Sequence, residues 1–332
     1  MSDHDLFERH VRVLVTGAGG PAAISVMKSL GNDPTVDLVA ADMDPWASGL
    51  YLVRADARTL IPAGLDPGFS GALLARCVAL GVNIVIPTVD SEMRPLDRAR
   101  ADFADAGIEL MLAPGPALAV TLDKLALARR CEGHVRVPRT ECFDAALDPG
   151  SWTYPVVVKP RTGSGSRDIS IVASSEALAA LDTSTDFLVQ EYLPGEEYSI
   201  DVLADATGRV VSSVPRVRSR VDSGVSVAGR TIHDAELEQF GSSVVAATGL
   251  TYISNVQARR DVVGNPALLE VNPRVPGTLP LTVASGVDMP RMALDSLRGR
   301  PLPEHADFRE IAMVRYLEER FIGLSEVEKV TA

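Results

Sequence analysis

Short apolar runs alternate with helix-length segments through the first third of this chain, and that alternation constrains its fold more than any other feature. Val11–Val15 is a strand, followed by the tight turn Thr16-Gly17-Ala18-Gly19-Gly20 and a helix over Pro21–Leu30. Val36–Ala41 is a second strand, Gly71–Leu80 a helix, Val82–Pro87 a strand, Pro95–Ala106 a helix and Glu109–Leu112 a strand. Strands that alternate with helices pair in parallel, and the helices cover both faces of the sheet. Ala113-Pro114-Gly115-Pro116 is a boundary signal. Residues 1–115 are therefore expected to form a Rossmann-like α/β domain.

Beyond the boundary the pattern changes. A helix over Ala117–Arg130 leads to a strand at Pro155–Lys159, the Gly/Ser loop Arg161–Ser166, a strand at Ile169–Val172, a short helix at Ser175–Leu181 and a strand at Phe187–Glu191. Leu193-Pro194-Gly195 is a turn. Tyr198–Ala204 and Arg209–Arg218 read as a meander, followed by a helix at Asp234–Thr248 and β-rich runs at Ser254–Val262 and Ala267–Val271. The 332 residues suffice for two or three domains, and a 46% hydrophobic content suffices for a core. The charge balance, 32 − 44 = −12, argues against a nucleic-acid partner, which needs a basic footprint. Cys77, Cys131 and Cys142 have neither metal-ligand spacing nor a disulfide framework, which points to a reducing compartment. The acidic Met-Ser-Asp-His-Asp start lacks a signal segment, and no window approaches the roughly 20 apolar residues of a membrane span. A cytoplasmic protein without a membrane partner is the expectation.

The polar chemistry concentrates near the C-terminus. Val263-Gly264-Asn265-Pro266 is a turn signal between two strands, so folding about Gly264 brings Gln257 opposite Glu270. Side chains alternate along a strand, which places Leu268, Glu270 and Asn272 on one face, and Asn255, Gln257 and Arg259 on one face of the partner strand. A carboxylate and two carboxamides there could hold Mg²⁺, which takes hard oxygen ligands, and Arg274 beyond them suits phosphate. A polar hairpin face in solvent is the alternative. Val156-Val157-Val158-Lys159-Pro160 ends an apolar strand on a lysine, which burial would force to find an anion. The following Gly/Ser loop joins two strands, so it is a candidate mobile lid and not a P-loop. Gln190–Tyr198 reads as a linker between two sheets. Lys124 lies on an amphipathic helix, where most lysines face solvent. Arg216, Arg218 and Arg220 alternate and, with Gly224-Val225-Ser226, form a candidate anion site, with Arg220 nearest the glycine turn; a solvated strand edge is the alternative. Asp42, Asp44, Asp90 and Glu92 follow strand ends, where they could meet a substrate ammonium or simply cap turns.

Taken in order, Asp123-Lys124, Val158-Lys159-Pro160 with its loop, Gln190–Tyr198, Asn255-Val256-Gln257 and Glu270-Val271-Asn272-Pro273-Arg274 resemble the ATP-grasp superfamily over roughly residues 11–320. They are most similar to the ATP-grasp modules of the carbamoyl phosphate synthetase large subunit, and to small free-standing ligases such as the pyrrolysine-pathway amide ligase. The resemblance implies a two-lobed α+β ATP-grasp domain after the N-terminal one, with a small lobe over 116–195 and a large lobe over 196–332. It implies that Lys124 and Lys159 contact ATP phosphates, with Lys159 also near the adenine. Ser164, Gly165 and Ser166 would cover the phosphates, Gln190, Glu191, Tyr192 and Leu193 line the adenine cleft, and Glu197 hold the ribose. Gln257, Glu270 and Asn272 would ligate two Mg²⁺, with Mn²⁺ as a substitute. Gln257 stands where many members have an acid, but an amide is usual in the carbamoyl phosphate synthetase type. Arg274 would stabilise the transferring phosphoryl group and the acyl phosphate; Lys159 and, on the alternation of its own strand and not on the resemblance, Arg220 are the other candidate catalytic cations. A homodimer is also implied.

The function expected is an ATP-dependent carboxylate–amine ligase that makes an amide through an acyl phosphate from small-molecule substrates. Two other readings stay open on the residues. Gly17-Ala18-Gly19-Gly20-Pro21-Ala22 fits a G-x-G-x-x-A dinucleotide turn with Asp42 at the end of the next strand, as in an NAD-dependent oxidoreductase. A non-catalytic ATP-binding regulator is the other. One ATP module in a chain of this length makes carbamoyl phosphate synthesis by the chain alone doubtful.

Overall fold

The computed structural model describes residues 10–163, 168–222 and 225–331. Strands β1 (Val11–Val15), β2 (Val36–Asp42), β3 (Arg58–Leu60), β4 (Ile84–Ile86) and β5 (Glu109–Leu110) form a parallel sheet in the order β3-β2-β1-β4-β5. Val13 sits between Leu38 and Ile84 in the register. Alternation sends Leu14, Val39 and Val85 into one core cluster and Val13, Val15, Ala40 and Ile86 into another, so both faces are covered. The covering helices are α1 (Pro21–Leu30), α2 (Phe69–Ala79), α3 (Asp90–Arg98) and α4 (Arg100–Asp105). The strand order reverses between β1 and β4, which opens a crevice at their C-terminal ends.

Helix α3 begins at Asp90, well before the start at Pro95 that the sequence suggests. Glu92 turns back so that its Oε2 accepts from Val89 N–H at 3.3 Å, closing the first turn, and Pro95 is accommodated inside the helix. The 117–130 helix is also interrupted: α5 (Gly115–Thr121) stops at Leu122 and α6 (Lys124–Cys131) restarts with Asp123 as its cap. Asp123 Oδ1 accepts from Leu125 and Ala126 N–H, the pattern that ends one helix and begins another.

Two antiparallel sheets follow. Strands β6 (Thr140–Phe143), β7 (Val156–Pro160), β8 (Ser170–Val172) and β9 (Ser184–Glu191), with α7 (Ser175–Ala179), form the small lobe in the order β6-β9-β7-β8. This lobe has a core of its own, in which Trp152, Val158, Leu178 and Val189 meet. Strands β10 (Glu197–Ala204), β11 (Val210–Asp222), β12 (Val225–Thr231), β13 (Tyr252–Arg260), β14 (Pro266–Asn272) and β15 (Ala312–Val314) make the large sheet, ordered β14-β13-β10-β11-β12-β15. Helices α8 (Ala235–Thr248), α9 (Leu279–Ser285), α10 (Met289–Leu297) and α11 (Leu324–Thr331) complete the large lobe. Both clusters of the N-terminal sheet run on into this lobe, one through Ile200, Phe240 and Val256, the other through Val211, Val214 and Leu294. No helix among the described residues is long and apolar enough to cross a membrane.

Candidate active site

The hairpin β13–β14 folds as its turn chemistry dictates. Asp261 Oδ1 accepts from Val263 and Asn265 N–H and tightens the turn. Gln257 then lies opposite Glu270, and Asn255 opposite Asn272. The ladder is irregular one step further on, where Ala258 pairs with Leu268 and Leu269 is left as an extra residue. This bulge reverses the alternation beyond Glu270. Leu268 therefore joins Val256, Ala258 and Val271 in the core and does not share the face of Glu270 and Asn272, which corrects the regular-strand expectation.

The bulge also turns a carbonyl outward. Leu269 C=O accepts from Lys159 Nζ at 3.3 Å, across the gap between the small lobe and the large one. Lys159 is only 5% exposed. Burial pulls its ammonium down to about 8, against the attraction of Glu270 and Glu197 and with added repulsion from Lys124. Lys124, first residue of α6, reaches the same place: its Nζ is 3.8 Å from Glu270 Oε2 and donates to Gly163 C=O at 2.7 Å. The helix break at Leu122-Asp123 makes this reach natural, and Asp123 is held by a bidentate pair with Arg161, just past the strand that carries Lys159. The sequence placed Lys124 within a longer helix; the structure puts it at a helix start beside Glu270.

These side chains border a cavity of about 1150 Å³ whose lining includes Lys124, Lys159, Glu270 and Asn272. The opposite wall is the N-terminal domain, through Asp90, Ser91, Arg94 and Arg98 of α3. Arg94 precedes the helix start at Pro95 that the sequence suggests; with α3 beginning at Asp90, positions 90, 91, 94 and 98 share a stripe at helical spacing. Arg274 bridges the two walls, its Nε and Nη2 donating to Asp90 Oδ1 and Oδ2 at 2.8 and 2.5 Å, with Asn272 Oδ1 at 3.4 Å from Nη2.

Other expected residues lie around this centre. Gln190 is buried and donates from Nε2 to Thr140 Oγ1 at 2.8 Å. Glu191 accepts from Arg136 Nη2 at 2.6 Å and from Arg139 N–H. Tyr192 and Leu193 begin the connection from β9 to β10, which joins the two antiparallel sheets. Glu197, at the start of β10, accepts from Arg218 Nη1. Ser164, Gly165 and Ser166 lie outside the described residues, as does Gly224.

The arginine row on β11 does not form the joint anion site that alternation suggested. The pairing shifts after Val217 and again after Arg220. Arg216 is fully buried and gives both arms of its guanidinium to Asp201, at 2.8 and 2.7 Å, Arg218 pairs with Glu197, and Arg220 is exposed. Asp201 also accepts from Asn255 Nδ2 at 2.8 Å and Thr282 Oγ1 at 2.5 Å, so a buried carboxylate ties β10, β11, β13 and α9 together. The acids after the N-terminal strands divide likewise. Asp42 accepts from Gly19 and Asp44 N–H, Asp44 from Trp46 N–H, and Glu92 from Thr16 Oγ1 at 2.5 Å. Burial pushes Glu92 up to about 7. Asp90 alone of the four faces the cavity.

The glycine turn is tightly packed and one of its N–H groups is already engaged. Gly17 has φ +60, and a Cβ there would meet Val89 at 2.6 Å. Gly19 N–H, which would approach a pyrophosphate, is taken by Asp42. Gly49 packs so tightly over Ala18 C=O that a Cβ would stand 2.1 Å from it.

Among the described residues no group of three His, Cys, Asp or Glu side chains could hold a metal ion. Glu270 with Gln257 opposite and Asn272 two residues on offers hard oxygens from one carboxylate and two carboxamides, a partial shell that fits Mg²⁺ when substrate phosphates supply further ligands.

A parallel-sheet domain, two antiparallel lobes and lysines converging on the hairpin floor define the ATP-grasp enzyme fold. Residues 183–320 match the family described as "ATP-grasp in the biosynthetic pathway with Ter operon", and residues 13–111 match "PylC-like, N-terminal domain". The chain is an ATP-grasp superfamily protein with a PylC-like N-terminal domain. Over 180 residues, 49% of this chain, it is 28% identical to the carbamoyl phosphate synthase large chain of Clostridium acetobutylicum and covers 16% of that protein. The arginine-specific large chain of Geobacillus stearothermophilus is 29% identical over 180 residues, 17% of its length. The chain thus matches about one sixth of the length of these relatives. Among solved structures, the biotin carboxylase domain of Hydrogenobacter thermophilus 2-oxoglutarate carboxylase, in complex with MgADP, ADP and bicarbonate, superposes with a TM-score of 0.73 at 18% identity, covering 89% of this chain and 71% of that one. N5-carboxyaminoimidazole synthetase from Staphylococcus aureus gives 0.69 at 13% identity, covering 91% and 80%. An L-amino acid ligase from Bacillus licheniformis gives 0.63 at 17%, covering 87% and 74%. At these identities the likeness is one of fold.

Proposed function

We propose that this chain is an ATP-dependent carboxylate–amine ligase that forms an amide through an acyl phosphate and releases ADP and phosphate. The observation that carries the reading is the meeting of Lys124, Lys159, Glu270 and Asn272 in one cavity, from helix α6, the small lobe and the hairpin floor. Phosphoryl transfer asks a protein for positioning and charge neutralisation more than for covalent chemistry, and this set supplies both.

In this reading Lys124 and Lys159 hold the nucleotide phosphates. Gln190, Glu191, Tyr192 and Leu193 border the base, and Glu197 takes the ribose after exchanging its bond with Arg218. Gln257, Glu270 and Asn272 hold Mg²⁺, which when bound offsets phosphate charge. Arg274 turns from Asp90 towards the transferring phosphoryl group, and Arg220 contributes from the end of β11 on closure. Ser164, Gly165 and Ser166 act as the phosphate cover. A substrate carboxylate oxygen attacks the γ-phosphorus, the bond to the ADP oxygen breaks, and ADP leaves. An amine nitrogen then attacks the acyl carbon, the bond to the phosphate oxygen breaks, and the amine gives up a proton. The engagement of Gly19 N–H by Asp42 counts against the oxidoreductase alternative, and the cation and carboxylate set counts against a non-catalytic regulator. The dimer named for the 2-oxoglutarate carboxylase domain supports a paired state, which sedimentation would test.

The test is ADP release across mixtures of carboxylates and pooled amino acids, with hydroxylamine present to trap acyl phosphate. Hydroxamate is expected with the wild type and not with Glu270→Ala. Equal hydroxamate from both would sink the metal assignment, and tight NADH binding without ATP binding would sink the whole reading.

A further inference from the structure

The wall of the cavity facing the proposed phosphate site carries two arginines that the ligase chemistry above does not use. Arg94 and Arg98 lie one helical turn apart on α3, both exposed and both lining the cavity. Other arginines close to this region are paired: Arg274 with Asp90, Arg161 with Asp123, Arg100 with Asp97. Among the described residues the side chains of Arg94 and Arg98 have no ion pair or hydrogen bond. In a chain of net charge −12, two unpaired guanidinium groups aimed into a shared cavity call for an anion. The nearby acids do not satisfy them. Asp90 is engaged by Arg274 and Asp66 accepts from Gly68 N–H at 2.7 Å, while Asp102, Asp168 and Glu270 line the same cavity without an ion pair to either arginine. The nucleotide has its own cations in Lys124 and Lys159 on the opposite wall, so the anion on α3 belongs to another molecule.

We propose that Arg94 and Arg98 form the anchor for a non-reacting carboxylate of the second substrate. The proposal rests on the ligase reading and narrows its substrate class. The spectator carboxylate has two sources: a dicarboxylic acid activated at its other end, or an amino acid serving as the amine. Both present the planar two-oxygen group that a guanidinium fork holds bidentately. Arg94 and Arg98 are positioning residues in this scheme, since neither touches the phosphoryl group.

The experiment measures ADP release by the full chain at saturating MgATP. The acids are acetate, butyrate, succinate and glutarate; the amines are glycine, L-alanine, glycinamide and ethanolamine. Turnover is expected only where a carboxylate beyond the activated one is present. A requirement for succinate or glutarate with any amine assigns the anchor to the acid; a requirement for glycine or L-alanine with any acid assigns it to the amine. Arg94→Gln and Arg98→Gln should each raise KM for that compound about tenfold, as expected for losing one charge-assisted contact, with kcat changed far less. MgADP binding, followed by calorimetry, should be unaltered in both variants. Turnover of butyrate with ethanolamine overturns the proposal. So do unchanged KM values in the double variant, and a panel without turnover from a protein that binds MgADP. Failure of the wild type to bind MgADP would instead remove the ligase reading beneath it.

Discussion

Lys159 shows how much a single side chain can cost a fold that needs it. Its ammonium is buried with one carbonyl acceptor and carboxylates at longer range, and its folded value of about 8 lies below the ordinary 10.5. Between those values the folded protein binds fewer protons than the unfolded chain, so stability rises with pH across that window. Lys159→Met should therefore raise the unfolding free energy at neutral pH by up to about 3 kcal/mol, and remove the rise above pH 8, while MgADP binding is lost. Urea unfolding with calorimetry checks both; a variant less stable at pH 7 would contradict the argument. Glu92 works in the opposite sense. Its folded value of about 7 exceeds the ordinary 4.5, so the folded protein holds an extra proton between them and loses stability as pH rises through that range. Glu92→Gln keeps the partner for Thr16 without the ionisation. Its advantage over the wild type should grow by on the order of 3 kcal/mol from acid to alkaline pH. A pH-independent difference in denaturant midpoints would show that Glu92 does not titrate as described.

Among the elements, the β13–β14 hairpin carries most of the candidate site, and its bulge matters as much as its polar residues. The extra residue Leu269 places a carbonyl outside the ladder, where Lys159 finds it. Deleting Leu269 should restore a regular pairing with Gln257 still opposite Glu270, yet remove the acceptor of Lys159. MgATP affinity is expected to fall about tenfold, on the order of 1.5 kcal/mol for a hydrogen bond to a charged group, with circular dichroism unchanged. Unchanged affinity would mean the bulge carbonyl is incidental. The hairpin register was legible in the residues because a turn and a period of two are local signals. The bulge was not, since no residue type in Ala267–Glu270 marks it.

For the molecule as a whole, the N-terminal domain and the large lobe share continuous apolar clusters, whereas the small lobe has a separate core. The cavity's α3 wall is thus joined to the hairpin floor by shared cores, while the small lobe with Lys159 packs around a core of its own. Across this junction Asp90 holds Arg274 by both arms, in competition with the phosphate that Arg274 would contact under the proposed function. Asp90→Asn should then tighten MgATP binding by about threefold to tenfold, the effect of freeing a guanidinium from a charged partner, while lowering turnover because Arg274 loses its orientation. Weaker binding in equilibrium titrations would show that Asp90 assists the nucleotide instead.

The sequence by itself determined the types and order of the main elements, the parallel N-terminal sheet, the linker after β9 and the facing of Gln257 by Glu270. Those follow from hydrophobic period, turn residues and neighbours close along the chain. Tertiary structure alone decided which charges meet. It buried Arg216 against Asp201 and gave Arg218 to Glu197, it set Asp42 on the glycine turn whose sequence fits a dinucleotide fingerprint, and it brought Arg94 and Arg98 to the cavity. Long side chains reach partners far away in sequence, and their choice depends on which surfaces the packed cores bring together, which local propensity does not encode.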